Sequence, residues 1–251
     1  MSSTVHTVVL TGGPCGGKSS LLSLLTDKLK GRGVDVYCCP EVPTILISGG
    51  CVYPGENAGQ KLIDFETGLI ELQMQIEDSF LKIASSTGRP SVVVMDRGLL
   101  DIPAYLPPKQ WDDILIATGL DEKTLAKRYG LVVHLVSAAD GAELFYTTSN
   151  NAARTETAEQ ARELDMKIKG NWARAHNNVA LMDNSTDFQE KCRRGSDAIL
   201  AYIDTSPGIQ FERKPNSGGE RTDSTIKAFV IGVAFGVALG YVLTAVSHRK
   251  S

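Results

Sequence analysis

Residues 11–20 read TGGPCGGKSS, in which Gly12, Gly17, Lys18 and Ser19 satisfy the spacing G-x-x-x-x-G-K-[ST]. Glycines let the backbone curl so that successive N–H groups point inward at phosphate oxygens. A helix starting there adds its partial positive charge. Lys18 then reaches the terminal phosphates, and the Ser19 hydroxyl ligates Mg²⁺. The stretch Gly12, Gly13, Pro14, Cys15, Gly16, Gly17, Lys18, Ser19, Ser20 is therefore the candidate binding loop for a purine nucleoside triphosphate, with ATP and GTP both open. Cys15 is either an oxidation-sensitive thiol or a small residue that fits.

Four further places carry chemistry. VVVMDRG at 92–98 sets Asp96 at the end of an apolar run, where a P-loop protein keeps its second metal-orienting carboxylate. Hydrolytic motors follow that carboxylate with a second acid to activate water. Here Arg97 follows, a residue that suits binding an anionic group or stabilising transferred charge. The plainer alternative is a turn aspartate paired with Arg97. CCPEVPT at 38–44 puts Glu41 just beyond another apolar run, either as proton acceptor for a substrate hydroxyl or as an ordinary loop glutamate. The polar segment 137–165 carries Arg154 and Arg162, which suit a lid over about 138–176 that closes on phosphates and excludes water. Asn184 and Ser185, in MDNSTD, stand where a nucleotide base is contacted or where the next helix is capped.

These residues need a scaffold. Apolar runs at 4–11, 34–39, 91–95, 131–136 and 179–182 read as buried strands. Helical patterns fall between or after them at 18–30, 62–84, 121–129, 158–176 and 187–203. Alternation of continuous apolar strands with helices predicts an α/β fold: a five-stranded parallel sheet covered by helices on both faces. Such sheets bind ligands at the carboxyl ends of their strands, where all the candidates lie.

The chain divides into a nucleotide-binding domain at 1–204, a flexible linker at 205–226 rich in Gly, Pro and Ser, and an apolar tail at 227–247. Ala228–Val246 has no charge and no proline, the length of a membrane-spanning helix or, less readily, of a buried core helix. Gly232, Gly236 and Gly240 share one face of it, which either receives another helix or merely dilutes a span without a partner. The expectation is a single-pass tail anchor with the main domain in the cytosol, the mitochondrial outer membrane being one destination. Five cysteines with no CxxC pair accord with a reduced compartment. A net charge of −3 gives no reason to expect nucleic-acid binding. No N-K-x-D segment is present to read guanine as small switch GTPases do.

The motifs TGGPCGGKSSL, PEVPTILISGG, VVVMDRGLLDIPAY, DGAELFYTTSNNAARTETAEQARELD and DNSTDFQEK, in that order, resemble the NadR/TRPL-translocation-defect family of P-loop ATPase-like domains over roughly residues 5–200. That resemblance implies the P-loop NTPase fold of nucleotide and nucleoside kinases, and WARAHNN departs from the family pattern. It implies phosphate binding by Gly12 to Ser19, Mg²⁺ ordering by Ser19 and Asp96, and lid roles for Arg154 and Arg162. One branch of the family phosphorylates ribosylnicotinamide; another acts in membrane-protein trafficking and binds GTP and phosphoinositides. Two functions follow as expectations: a kinase passing phosphate to a small-molecule acceptor, and a nucleotide-dependent trafficking or tethering module at a membrane.

Overall fold

The computed structural model describes residues 3–146 and 157–211. Strand β1 (Ser3–Thr11) lies at the centre of a sheet ordered β2-β3-β1-β4-β5, with β2 Asp35–Cys39, β3 Ser91–Asp96, β4 Leu131–Leu135 and β5 Val179–Met182. All four pairings along this path are parallel. After β1 the chain lays β2 at one edge, returns to place β3 between them, and crosses to the other side of β1 between β3 and β4. The loop after β1 therefore opens at a switch in strand order, the place where such sheets bind ligands.

The continuous apolar strands are explained by burial on both faces. Val8, Leu10, Val92 and Val94 face helices α1 (Lys18–Lys30) and α7 (Phe188–Thr205), packing on Leu21, Leu25, Leu29 and Ile199. Val9 and Val93 point the other way, toward α3 (Gln60–Ser86) and α6 (Ala158–Ala175), packing with Leu62, Leu69, Ile70 and Trp172. Side chains alternate across each strand, so one run of valines serves two cores.

Three short helices complete the body: α2 (Val42–Ser48), α4 (Pro108–Thr118) and α5 (Glu122–Ala126), with a 3-10 helix at Leu99–Tyr105. Hydropathy alone does not announce α2 or α4. Both carry proline in the first turn, where its missing N–H costs nothing.

Two expectations need correction. The sheet has six strands: β6 (Ile209–Phe211) pairs antiparallel with the start of β1, Val5 opposite Ile209. Thus 205–211 belongs to the domain, and the Gly-Pro composition there marks a turn in which Gly208 adopts φ 58°. The supposed lid also splits. Its second half is α6, whose Ala161, Asp165, Ile168 and Trp172 are buried in the body. No helix among the described residues is long and apolar enough to cross a membrane, and the tail at 227–247 lies outside them.

Candidate functional site

The loop between β1 and α1 is shaped by its neighbours. Gly12 has φ 120°, and a Cβ there would fall 2.1 Å from the Leu135 carbonyl oxygen. Only glycine lets β1 end so close to the end of β4. Gly17 closes the loop at φ 99°. Cys15 (φ 58°) and Arg97 (φ 72°) are the non-glycine residues with positive φ among those described, and both lie at this site. Such strain costs of order 1–3 kcal/mol per residue and persists only where surroundings enforce it. Arg97 is held by its N–H on the Leu10 carbonyl (3.0 Å) and by Gln73 Nε2 on its own carbonyl (3.3 Å).

Clamps from distant elements fix the loop. Asp165 of α6 accepts the Gly13 N–H at 2.5 Å, and Ser137 donates its hydroxyl to the Pro14 carbonyl at 2.6 Å. Asp165 also meets His134 Nε2 at 3.2 Å. Burial opposes its ionisation, but His134 and the loop N–H groups win, and its pKa lies below the usual carboxylate range. Sequence reading misses Asp165 and Ser137. Their only signal is position, one just past a strand end and the other on the buried stripe of a helix.

Helix α1 opens with no side-chain cap and no acid in its first turn, and Ser19 and Ser20 are exposed there. The first N–H groups are available to an anion. Lys18 Nζ donates to the Gly12 and Gly13 carbonyls at 3.3 and 3.4 Å. Burial, with help from Arg97, pulls its pKa down to about 8 against Asp96, Asp101 and Glu41.

Glu41, Asp96, Arg97 and Lys18 converge here as the sequence suggests. Arg97 Nε donates to Glu41 Oε1 at 2.5 Å, and its Nη1 reaches the Gly12 carbonyl at 3.4 Å and Asp101 Oδ2 at 3.6 Å. Burial works against the Arg97 charge, but Tyr105, Glu41 and Asp101 raise its pKa well beyond the ordinary value. Glu41 caps no backbone N–H; its other oxygen accepts from Thr44 at 2.9 Å. Despite burial, Arg97 and Thr44 hold Glu41 ionised, below its ordinary pKa. Arg97 is thus partnered by Glu41, and Asp96 is not its turn-mate.

Asp101, absent from the sequence-level candidates, anchors the group from behind. Its Oδ1 accepts from Thr11 (2.5 Å) and from Trp172 Nε1 (2.6 Å).

Asp96 Oδ1 is buried without a hydrogen-bond partner, as is Asp101 Oδ2, but the latter faces Arg97 at 3.6 Å. Burial first, then Glu41 and Asp101, push the pKa of Asp96 up, against Lys18 and Arg97. An orphaned carboxylate oxygen near a loop that cradles anions fits a divalent cation. No cluster of three ligating side chains exists among the described residues.

The remaining candidates fare differently. Arg162 donates to the Ala139 carbonyl at 2.8 Å, just beyond β4, near the loop clamp made by Asp165. Arg154 lies outside the described residues. Asn184 neither caps α7 nor presents a free amide. Its nitrogen donates to the Ser137 and Asp140 carbonyls at 2.8 and 2.6 Å, and its oxygen accepts from Lys191 at 2.7 Å. Asp187 is the cap, accepting the Glu190 N–H at 2.8 Å.

Residues 7–191 match the family model of an AAA domain, more than half of the chain. The chain belongs to this AAA-domain family. Among solved structures, the crystal structure of NadR protein in complex with NR aligns with a TM-score of 0.55 and 17% sequence identity. The alignment covers 84% of this chain and 54% of that one, so this chain spans about half the length of that relative. At this identity the likeness shows the fold alone, that of a NadR-type P-loop domain. No curated protein sequence matches it. The AAA domain is accordingly a nucleotide-binding P-loop domain.

Proposed function

We propose that this AAA domain binds Mg²⁺ with a purine nucleoside triphosphate and passes the terminal phosphoryl group to a hydroxyl of a small molecule. The observation that carries the reading is Arg97, locked by Glu41 and Asp101 at the rim of the phosphate loop. A cavity of about 380 Å³ is lined by Glu56, Ala104, Tyr105, Gln160, Glu163, Leu164 and Lys167. Tyr105 closes the 3-10 helix Leu99–Tyr105 that follows Arg97 in the chain. The polar lining of the cavity suits a hydroxyl-bearing acceptor.

Ser19 and Asp96 would hold Mg²⁺, which when bound neutralises charge on the phosphates. Glu41 orients the acceptor hydroxyl and takes its proton as the new P–O bond forms. The bond to the bridging oxygen breaks, and the nucleoside diphosphate leaves with the electron pair. Arg97 stabilises charge on the moving group. A loose transfer asks little basicity of its acceptor residue, so an ionised glutamate of low pKa suffices for orientation. The test is a panel of nucleosides and polyols incubated with the full-length chain, Mg²⁺ and γ-labelled ATP or GTP. Label should appear on a small molecule; label released only as inorganic phosphate, whatever the acceptor, would overturn transfer.

A second reading rests on the tail at Ala228–Val246, apolar throughout and flanked by Lys227 and by His248, Arg249 and Lys250. A helix of that length is ~28 Å long, close to the hydrocarbon thickness. It supports a nucleotide-dependent trafficking or tethering module, anchored by the tail with residues 1–226 in the cytosol. The short span and basic flanks favour the mitochondrial outer membrane, and Gly232, Gly236 and Gly240 offer a face for another helix. Truncation after Thr225 should move the protein from the carbonate-washed membrane pellet to the supernatant with nucleotide affinity unchanged. A full-length protein that stays in the supernatant, or a truncated one that still pellets, would exclude the anchor.

A further inference from the structure

Phe188 is a large apolar side chain left 53% exposed at the first position of α7. It prolongs the helix stripe of Cys192 and Ile199, both buried, one turn beyond the core. Its ring lies against the last glycine of the phosphate loop. A Cβ built on Gly17 would stand 2.8 Å from Phe188 Cε2 and 3.3 Å from Cζ. The loop thus has two marked ends. Lys18 Nζ and Arg97 Nη1 crowd the carbonyls of Gly12 and Gly13 at one end, and Phe188 covers Gly17 at the other. A triphosphate with its terminal phosphate at the cationic end leaves its nucleoside at the Phe188 end.

Three polar side chains of the neighbouring segment, Asn184, Ser185 and Arg194, are engaged within the protein. The Asn184 amide is spent on Ser137, Asp140 and Lys191. The Ser185 hydroxyl donates to Asp183, as does Arg194 Nη2 at 2.9 Å. Every base has a π-face, so an aromatic platform binds without choosing among them.

We propose that Phe188 is the platform on which the purine base of the nucleotide stacks, and that the site holds the base by its face instead of reading its edge. The inference rests on the reading that a nucleoside triphosphate occupies the loop. It adds that ATP and GTP bind alike, and that much of the affinity of the nucleoside portion comes from one ring.

Calorimetry on the full-length chain with Mg²⁺ and ATP, GTP or inorganic tripolyphosphate tests this. Phe188→Leu keeps apolar bulk over Gly17 and removes the π-face. It should weaken ATP and GTP about tenfold each and leave tripolyphosphate binding unchanged. Phe188→Trp should retain both nucleotides. Wild-type affinities for ATP and GTP should agree within about fivefold, as stacking without edge contacts requires. Unchanged nucleotide affinity in Phe188→Leu would overturn the platform, as would an equal loss for tripolyphosphate, which makes the ring a mere support of the loop. A wild-type preference of roughly a hundredfold for one purine would overturn face-only recognition, because only edge contacts discriminate so strongly. Failure of wild type to bind tripolyphosphate and both nucleotides would strike the underlying reading itself, a result distinct from the other three.

Discussion

Lys18→Ala should lower affinity for Mg²⁺-bound ATP or GTP by roughly ten- to a hundredfold while leaving the fold intact. Hydrogen bonds to charged groups contribute about 1.5–3 kcal/mol, which converts to that range. Lys18 Nζ rests on the Gly12 and Gly13 carbonyls, at the end of the loop where Arg97 also arrives. Alanine removes the ammonium but none of the backbone N–H groups of the loop. The pH dependence gives a second readout. With the pKa of Lys18 held at about 8 by burial and by Arg97, the ammonium is intact below that pH and is lost as pH rises through it. Wild-type affinity should therefore decline from pH 7 to pH 9, since phosphate binds the charged form. Lys18→Ala should lack this component. Calorimetry at three pH values measures both, and equal affinity in the two proteins would remove Lys18 from the site.

Asp96→Asn should reduce Mg²⁺-dependent turnover by about 10- to 100-fold, the usual cost of losing a group that orders a metal site. Nucleotide binding measured in chelator should hardly change, because the loop, Lys18 and Arg97 remain. The same substitution should stabilise the fold at neutral pH. Burial raises the pKa of Asp96 in the folded state, so its ionised form is disfavoured relative to the unfolded chain above the ordinary carboxylate range. That penalty fades as pH falls through the folded-state pKa and the carboxyl becomes neutral. An asparagine never incurs it. Lower activity with a higher urea midpoint at pH 7, converging toward wild type in acid, is the expected pair of results. A mutant with full Mg²⁺-dependent turnover would leave Asp96 as a residue of the turn.

Much of this protein is written locally in its chain. The spacing of Gly12, Gly17, Lys18 and Ser19 names the phosphate loop, because backbone curvature and a helix start depend on residues a few positions apart. Strands of continuous valine and helices with leucine at 3.6-residue period announce the layered sheet, because burial on two faces leaves no room for alternation. Asp96 is legible too, since any residue just past a central parallel strand arrives at the ligand edge.

What the tertiary structure alone decided is pairing over distance. Glu41 is tied to Arg97 across 56 positions, Thr11 to Asp101 across 90, and Gly13 to Asp165 across 152. No local pattern distinguishes Glu41 as the partner of an arginine from an ordinary loop glutamate; the proximity comes from the order β2-β3-β1. Asn184 reads locally as a base contact or a cap; it does not cap α7, and the loop after β4 arrives beside it and takes up its amide. Likewise 209–211 has the composition of a linker and becomes a strand, because the exposed start of β1 supplies the unpaired backbone it completes. Short-range chemistry is set by spacing, whereas charge pairing, exhaustion of polar groups and edge pairing depend on which distant segment folds alongside.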